Sequence, residues 1–319
     1  MGKITIWPWG FNYIIDDRLL NSKLFMKRVA GIGLILLVLL SGIFVFEYSK
    51  FNHGKFHLVF CDVGQGDAIF IRTPKGSDIL IDGGPDDSVL SCLAGHMPFW
   101  DRDLELVILT HPHADHLNGL ISVSKRYRII SFATENLKNR SRGFSALMEI
   151  LEKQNIKISY IYAGDRFVLR DGVTIEIVGP SKEFIQKTSP DGFIGERREF
   201  ASVESLVEYK NFVVLLTGDS QAVELKEAIF EGLLKDIDAL HVPHHGSKTG
   251  LSSEILDFVK PELAIISVDS NNRYGHPDKS IHEMLRNKGI KILRTDRDGE
   301  IEILSDGASW GVKRFNFFH

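Results

Sequence analysis

Cysteine is scarce in this sequence. Only Cys61 and Cys92 occur in 319 residues, and no C-x-x-C motif is present. Two cysteines do not make the disulfide framework of a small secreted domain, and the missing C-x-x-C motif argues against a thiolate zinc site. Both residues lie in apolar surroundings, so we expect buried thiols. The composition, 44% hydrophobic and 25% charged, is that of an ordinary globular protein.

An excess of positive charge is also missing. The formal net charge is -4, whereas a protein that coats nucleic acid is typically basic. Bulk charge therefore gives no support for non-specific nucleic-acid binding, although a local basic groove is not excluded. The basic stretches at 125–128 and 197–198 are candidates for phosphate contact, but each is more often a solvated patch.

Long apolar runs are absent except at residues 29–46, which read VAGIGLILLVLLSGIFVF. A membrane-spanning helix needs roughly 20 apolar residues. A signal peptide has a shorter apolar core of about 7–15 residues, and no small-x-small cleavage site follows here. A buried helix of a soluble protein is rarely so uniformly apolar. We therefore expect an uncleaved transmembrane anchor at 29–46.

Basic residues are more frequent before this segment than after it. Those before it are Arg18, Lys23, Lys27 and Arg28, and those after it are Lys50 and Lys55. Positive charge favours the cytoplasmic side. We expect a cytoplasmic tail at 1–28, a linker at 47–55, and a single-pass protein of the cell membrane whose large C-terminal part is extracellular.

The nucleophile motif of serine hydrolases, G-x-S-x-G, is missing as well. Instead His111, His113, Asp115 and His116 follow an apolar run in the pattern H-x-H-x-D-H. Imidazole and carboxylate ligands suit zinc and tolerate manganese or iron. The spacing directs two histidines at one metal and the Asp–His pair at a second. A surface loop with chance histidines is the alternative, and 12 histidines in the whole chain make it a poor one.

Three further polar clusters follow apolar runs. Asp219 can bridge two cations, or simply cap the helix that follows it. His244 and His245 on one turn can serve as one ligand and one proton donor. His276 lies in a tight turn, where a histidine on its own is typically structural or exposed. Two cations at such a site would lower the pKa of a shared water enough for it to act as the nucleophile near neutral pH.

From Phe56 onward, short apolar runs alternate with helical patterns and glycine-rich turns. This alternation predicts one α/β domain with polar clusters at strand ends, where such folds carry their chemistry. Residues 181–200 are polar and predict a long loop over the site. The aromatic and basic segment 310–319 has no clear period. We expect the domain at 56–306 and a C-terminal tail at 307–319.

The order of the motifs resembles the metallo-β-lactamase fold superfamily, and in particular the hydrolase domain of ComEC-type DNA-uptake proteins. The motifs are DVGQGD at 62–67, LIDGG at 80–84, THPHADH at 110–116, LLTGD at 215–219, PHHGS at 243–247, NRYGHP at 272–277 and TD at 295–296. The likeness covers residues 56–306. It implies a four-layer αββα sandwich with a metal site at the strand ends.

The resemblance also implies a role for each candidate residue. His111 and His113 would hold one metal, Asp115 and His116 would hold the second, and Asp219 would bridge the two. The implied metal is zinc, as one or two ions, with manganese as the alternative.

The remaining residues complete this implied site. Of the adjacent pair, His245 would be a ligand of the second metal. His244 and His276 join Asp115 as candidate catalytic side chains, with His276 as a proton donor or phosphate contact. Asp82 would orient a ligand histidine.

The sequence departs from the family pattern in three places. Many members supply a further histidine before the bridging aspartate, but none occurs here between His116 and His241, so the first metal would be weakly held or absent. An Asn-rich turn that usually precedes the serine at Ser202 is replaced by Phe200-Ala201. The multi-helix channel of full uptake proteins is missing, so the chain alone cannot be a DNA channel.

Three functions are compatible with these patterns. The first is a membrane-anchored, metal-dependent hydrolase that cleaves phosphodiesters, with DNA as the substrate by resemblance. The second is an enzyme with the same site that acts on a cell-envelope phosphoester, such as phosphocholine on teichoic acid, or on a lactone. The third is a non-catalytic metal-binding accessory of a separate uptake channel. The sequence does not fix the oligomeric state.

Overall fold

The short apolar runs become strands, and the amphipathic segments become helices, in a computed structural model that describes residues 23–194 and 201–315. The strands are β1 (Phe56–Phe60), β2 (Ile69–Arg72), β3 (Asp78–Ile81), β4 (Asp103–Leu104), β5 (Leu106–Leu109), β6 (Arg128–Ile129), β7 (Phe132–Thr134), β8 (Ile158–Tyr160), β9 (Arg166–Val168), β10 (Val173–Gly179), β11 (Glu204–Tyr209), β12 (Phe212–Leu216), β13 (Ala239–His241), β14 (Leu263–Ile266), β15 (Lys291–Arg294), β16 (Glu300–Ser305) and β17 (Trp310–Phe315).

Helices alternate with these strands along the chain. They are α1 (Lys23–Phe51), α2 (Val89–His96), α3 (Ala114–Arg126), α4 (Arg142–Lys153), α5 (Lys182–Thr188), α6 (Ala222–Phe230), α7 (Ser253–Val259), α8 (Lys279–Asn287) and α9 (Thr295–Asp298). A short 3-10 turn, Pro243–Gly246, follows β13.

Two mixed sheets contain most of the strands, and both have the same plan. The first has the order β17-β16-β1-β2-β3-β5-β7-β8, and the second the order β15-β14-β13-β12-β11-β10-β9. In the first sheet, strands β3, β5, β7 and β8 are parallel. In the second sheet, strands β12 to β15 are parallel. The other pairings within both sheets are antiparallel.

Alternation of side chains along the strands builds three apolar layers. In β1, Leu58 belongs to a core shared by both sheets, whereas its neighbour Val59 packs with helices α2, α3 and α4. In β12, Val214 faces the shared core, and Leu215 packs with helices α6, α7 and α8. Since successive strand residues point to opposite faces, each sheet buries both faces. The predicted four-layer αββα sandwich is confirmed.

The parallel halves of the sheets determine where the functional residues collect. The carboxyl ends of β3, β5, β12, β13 and β14 are followed by the LIDGG, THPHADH, LLTGD, PHHGS and NRYGHP motifs. In open α/β sheets this edge is where ligands bind.

The predicted C-terminal tail at 307–319 is wrong for residues 310–315. Strand β17 pairs antiparallel with β16 across its whole length. The turn between them is held by Asp306, whose Oδ1 accepts hydrogen bonds from the backbone N–H groups of Ala308 and Ser309. Trp310 and Val312 pack against the shared core, and this two-residue alternation is too short to stand out in the sequence.

Two other boundaries also differ from prediction. Helix α1 continues to Phe51, because no glycine or proline occurs in residues 47–51 and the first glycine of the expected linker is Gly54. The polar segment 181–200 is not entirely a loop, since it contains helix α5, whose N-cap Ser181 accepts a hydrogen bond from the Phe184 N–H. Residues 195–200 of that segment lie outside the described part of the chain.

Helix α1 carries the predicted anchor. Its segment Phe25–Phe51 contains an 18-residue window with a mean hydropathy of 2.8 and is long and apolar enough to cross a membrane. Most of the predicted cytoplasmic tail, residues 1–22, lies outside the described residues.

The two cysteines are not the thiols expected from the sequence. Cys61 and Cys92, which are 31 positions apart in the chain, form a disulfide. It links the end of β1 to helix α2, and both sulfur-bearing side chains are buried in the layer between the first sheet and its helices. The pairing depends on how helix α2 packs against the first sheet. The residues around each cysteine do not predict that packing.

Candidate metal centre

The H-x-H-x-D-H loop connects β5 to α3. All four residues of β5 are buried, and α3 begins with His113 as its N-cap residue and Asp115 in its first turn. A carboxylate in the first turn is stabilised by the free N–H groups and the dipole of the helix. An apolar strand and an amphipathic helix therefore fix the direction of the loop.

Glycines bring α3 against the turn that follows β3. A side-chain carbon added to Gly119 would lie 1.8 Å from the backbone oxygen of Gly83. Gly83 N–H donates to the His116 carbonyl at 2.7 Å, and Gly119 N–H donates to the Gly84 carbonyl at 3.0 Å. These contacts bring Asp82, at the end of β3, against the His116 ring.

Asp219 lies at the centre of the site, and one of its oxygens faces a first group of ligand atoms. Oδ1 of Asp219 is 3.4 Å from Nε2 of His116 and 3.4 Å from Nε2 of His245. Asp115 Oδ2 is 3.7 Å from the same His245 nitrogen. One atom from each of these four residues lies within 4.8 Å of all the others. We call Asp115, His116, Asp219 and His245 the inner group.

The other oxygen of Asp219 faces a second set of nitrogens. Oδ2 is 3.7 Å from Nε2 of His111 and 3.6 Å from Nε2 of His244. His111 Nε2 is in turn 3.1 Å from Nδ1 of His113. We call His111, His113, His244 and Asp219 Oδ2 the outer group. A single carboxylate thus separates two clusters of possible ligands.

The adjacent histidines reach both groups because of their backbone conformation. His244 and His245 have φ values of 52° and 55°. Positive φ is strained for residues other than glycine and is found at functional sites more often than elsewhere. In this conformation the His244 ring faces Oδ2 of Asp219 and the His245 ring faces Oδ1.

Hydrogen bonds to the inner-group histidines prepare them for a cation. His116 donates from Nδ1 to Asp82 Oδ2 at 2.7 Å, and His245 donates from Nδ1 to the Ser267 carbonyl at 2.9 Å. Each Nε2 is then the unprotonated nitrogen when the ring is neutral, which is the tautomer that binds a metal. Asp82 is itself held by Thr110, through N–H at 2.8 Å and Oγ1 at 2.6 Å.

Three atoms of the inner group are left without a hydrogen bond inside the described part of the chain. They are His116 Nε2, Asp219 Oδ1 and His245 Nε2, and all three are buried. Buried polar atoms rarely stay unsatisfied. A tetrahedral Zn²⁺ with bonds of 2.0–2.2 Å needs ligand atoms about 3.3 Å apart, close to the distances found here. The residues fit a divalent cation.

The electrostatics of the site lead to the same conclusion. Burial alone would raise the pKa of Asp219, but the facing His245, His116 and His244 rings hold it well below its usual value. Burial opposes the charge on His116, yet Asp219 and Asp82 raise its pKa well above normal. Burial lowers the pKa of His111 well below normal. Without a cation, the inner group therefore holds protons where a cation would supply the positive charge.

Ser202 lies between Asp219 and His111. Its Oγ accepts a hydrogen bond from the Asp219 N–H at 3.1 Å and lies 3.5 Å from His111 Nδ1. The Ser202 N–H donates to Glu224 Oε1 at 3.1 Å, and burial, then Glu204, raises the pKa of Glu224 well above normal. Ser202 therefore positions Asp219 and supports His111 from behind.

His276 lies at the mouth of the site. Its N–H donates to Asn272 Oδ1 at 2.9 Å, and Asn272 Nδ2 donates back to the His276 carbonyl at 2.8 Å. The ring centre of His276 is 5.9 Å from that of His244 and stacks on Tyr274, also at 5.9 Å. Burial, then His244 and His245, lowers the pKa of His276. The structure thus brings every predicted site residue to one location.

Asp67 is a site residue to which sequence reasoning assigned no role. Its side chain is buried, and both oxygens lack a hydrogen bond among the described residues. Oδ1 lies 3.3 Å from His241 Nε2 and 3.6 Å from His245 Nδ1. Burial opposes ionisation of Asp67, but His241 and His245 lower its pKa to about 2. In the sequence, Asp67 could have been identified by its position at the end of the DVGQGD motif.

The predicted basic patches do not reach this site in the described part of the chain. Lys125 and Arg126 end helix α3, roughly 18 Å from the start of that helix at 1.5 Å per residue. Arg128 donates to Asp103. The second patch, 197–198, lies outside the described residues.

A family model described as the metallo-β-lactamase superfamily matches residues 61–270. The chain therefore belongs to the metallo-β-lactamase superfamily. The motif likeness to competence proteins is also confirmed by the first two of three curated relatives.

The first relative is ComE operon protein 3 of Bacillus subtilis, 26% identical over 260 residues, with 76% of this chain and 32% of that protein covered. The second is Recombination protein 2 of Haemophilus influenzae, 30% identical over 251 residues, with 76% and 28% covered. The third is Exodeoxyribonuclease WalJ of Streptococcus pneumoniae, 25% identical over 207 residues, with 59% and 71% covered. The chain spans about a third of the length of the first two.

We predict that Asp67→Asn weakens metal binding by about 10–100-fold, the usual effect of removing a group that orients a metal ligand. The substitution keeps the shape of the side chain but removes the charge beside His241 and His245. Zn²⁺ affinity is measured by competition with a chelating dye. Asp87→Asn, at an exposed position, is the matched control. Wild-type affinity in Asp67→Asn would show that Asp67 does not orient a ligand.

Proposed function

We propose that this chain is a membrane-anchored, metal-dependent phosphodiesterase that acts on DNA. The observation that carries the proposal is the position of Asp219, whose two oxygens face two groups of imidazole nitrogens at 3.4–3.7 Å. Members of the metallo-β-lactamase superfamily are typically metal-dependent hydrolases, and such a divided ligand set suits a pair of cations.

The residues that would hold cations are His111, His113, Asp115, His116, Asp219 and His245. Two divalent cations at such a site would supply a water of lowered pKa. They would also stabilise the charge on the attacking and leaving oxygens when a phosphodiester is cleaved. The nitrogen-rich ligand set favours Zn²⁺, and the carboxylates also admit Mn²⁺. The inner group is the stronger of the two, because it combines two oriented histidines with two carboxylates.

The reaction adds water to phosphorus and breaks the bond to the leaving oxygen, which must gain a proton. Asp115, His244 and His276 are the catalytic side chains in this proposal. Asp115 sits beside His245, where it can hold the attacking water in line. His276 and His244 line the mouth of the site, where an N–H can be donated to a phosphate oxygen or to the leaving group. The lowered pKa of His276 keeps it neutral near pH 7, so it acts through a neutral N–H until a phosphate binds.

DNA is favoured over the other esters because of the relatives. Exodeoxyribonuclease WalJ of Streptococcus pneumoniae and Recombination protein 2 of Haemophilus influenzae both bear names tied to DNA. A cell-envelope phosphoester, a lactone, or a non-catalytic role beside a separate uptake channel are the competing outcomes of the assay below.

The location proposed is the outer face of the cell membrane. Helix α1 is apolar enough to span the bilayer, and basic residues are concentrated before it. The Cys61–Cys92 disulfide adds support, because disulfides persist in oxidising compartments and are rare in the cytosol.

We expect the full chain, purified in detergent with Zn²⁺ or Mn²⁺, to hydrolyse single-stranded DNA and bis-p-nitrophenyl phosphate. His113→Ala and Asp219→Asn should each reduce the rate at least ~100-fold, since both remove stabilisation worth several kcal/mol in the transition state. His53→Ala and Asp236→Asn, at exposed positions away from the site, are the matched controls. Activity that survives both site changes contradicts the assignment, and bound metal without hydrolysis of any ester favours the accessory role.

The orientation is tested by trapping thiols in intact cells. N-ethylmaleimide is added first, and the protein is then reduced and labelled with a thiol-reactive mass tag. The wild type should gain two tags, because both cysteines were protected as a disulfide, while Cys92→Ser should gain none. An untagged wild type, or an N-terminal reporter found outside the cell, would refute an extracellular domain.

A further inference from the structure

A cavity of about 420 Å³ lies beside the metal centre. His113 forms part of its wall and thus belongs both to the outer group and to the cavity. The other walls include Asn139, Arg140, Thr188, Asp191 and Phe193. This volume lies within the range of pockets that hold small organic ligands. None of these other residues has been given a role in the hydrolysis proposed above.

Arg140 and Phe193 form a stacked pair in this cavity. The guanidinium carbon of Arg140 lies 4.5 Å from the centre of the Phe193 ring, which is a cation–π contact. Arg140 is exposed, and no carboxylate lies within 4.0 Å of its guanidinium nitrogens in the described part of the chain. Its planar face and its N–H groups are therefore available to a ligand.

The pair is held in place by backbone contacts. Lys138 and Phe193 form an isolated parallel bridge. Lys138 N–H donates to the Gly192 carbonyl at 3.0 Å, and Ile194 N–H donates to the Lys138 carbonyl at 2.9 Å. The two segments that carry Arg140 and Phe193 are thus joined by hydrogen bonds and present a preformed surface.

A side-chain hydrogen bond connects this surface to the metal loop. Asn139 Nδ2 donates to the carbonyl of Pro112 at 2.8 Å, and Pro112 lies between His111 and His113 of the outer group. The distance between Arg140 and the metal centre is therefore set by one short link. A ligand that contacts both Arg140 and the metal centre would therefore be bound at a fixed position along its length.

The charge around the cavity favours a phosphate chain. Lys138, Arg140 and Arg142 occur within five residues, and no acidic residue lies between Glu135 and Glu149. Of these three basic residues it is Arg140 that lines the cavity, together with Asp191, whose Oδ1 accepts a hydrogen bond from the Phe193 N–H. One guanidinium therefore faces the cavity and can bind one phosphate, while Asp191 disfavours a second phosphate.

We propose that the Arg140–Phe193 pair is a subsite of single-stranded DNA, which holds the nucleotide next to the phosphodiester at the metal centre. The proposal rests on the phosphodiesterase function proposed above. An unpaired base would stack on the guanidinium plane, and the guanidinium N–H groups would bind the adjoining phosphate, as arginine and aromatic side chains do in other single-strand readers. Bases inside a duplex are already stacked and offer no free face.

The same geometry disfavours a choline headgroup. Aromatic rings bind quaternary ammonium groups through the ring face, but here that contact with Phe193 is made by Arg140. A second cation would meet the positive charge of the guanidinium. The cavity therefore favours DNA over the phosphocholine ester, which the sequence left as an alternative substrate.

The test measures binding separately from hydrolysis. Full-length protein in detergent with EDTA, which prevents metal-dependent cleavage, is titrated against a fluorescent oligothymidylate of about ten nucleotides. A backbone of the same length with abasic sites is titrated in parallel. Phe193→Ala removes the ring that holds the Arg140 guanidinium in its stacking position, so it should raise the Kd for oligothymidylate up to about tenfold, the effect of one lost stacking contact, and leave the Kd for the abasic chain unchanged. Arg140→Ala should weaken binding of both chains.

Control variants separate this role from a folding defect. Phe193→Tyr, which keeps the ring, should bind like the wild type. Phe230→Ala and Arg170→Ala, at exposed positions outside the cavity, should also leave both Kd values unchanged. With metal present, Phe193→Ala should raise KM for the oligonucleotide and leave kcat/KM for bis-p-nitrophenyl phosphate unchanged.

The outcomes distinguish the subsite from the proposed reaction. Stacking-dependent binding without hydrolysis would support the subsite and refute the phosphodiesterase. Hydrolysis with an unchanged oligothymidylate Kd in Phe193→Ala would refute the subsite alone. Equal loss for the abasic chain, equal affinity for duplex DNA of the same sequence, or stronger competition by phosphocholine than by thymidine monophosphate would each overturn it.

Discussion

The buried carboxylate of Asp219 is the group on which the rest of the site depends. A charged carboxylate that is removed from water is costly unless positive charge compensates it. Here the compensation comes from the inner-group imidazole rings, as protonated His116 and His245 when no metal is bound, and through the cation when one is. The neighbouring strands and turns place four imidazole rings around the two oxygens of Asp219. We attribute the strained φ values of His244 and His245 to this requirement.

The architecture meets that requirement because both sheets contribute. Strands β3 and β5 of the first sheet position Asp82 and the histidine loop, whereas β12 and β13 of the second sheet position Asp219 and the adjacent histidines. The shared core between the sheets holds these two sets at bonding distance. The buried carboxylate of Asp82 then orients the His116 ring, and the buried carboxylate of Asp67 lies behind the His245 ring. The metal centre is thus a property of the packed sandwich, and neither sheet contains it alone.

Sequence reasoning identified the parts of the site that are local. The H-x-H-x-D-H loop can be recognised in the sequence because four candidate ligands lie within six residues. Asp219 can be recognised because it follows an apolar run of residues. Features set by packing could not be predicted from the sequence. Cys61 and Cys92 are 31 positions apart, and the Arg140–Phe193 contact joins segments far apart in the chain. Strand β17 was missed because its alternation covers too few residues to exceed the background pattern.

The central claim is that Asp219 divides two cation sites, and anomalous X-ray diffraction tests it most directly. Crystals of the chain are grown with Zn²⁺, and data are collected on both sides of the zinc absorption edge. We predict a strong peak about 2.0–2.2 Å from Asp219 Oδ1, His116 Nε2 and His245 Nε2. A second, weaker peak is expected on the side of Oδ2, near His111 and His113. The absence of any peak within bonding distance of Asp219 would contradict the account.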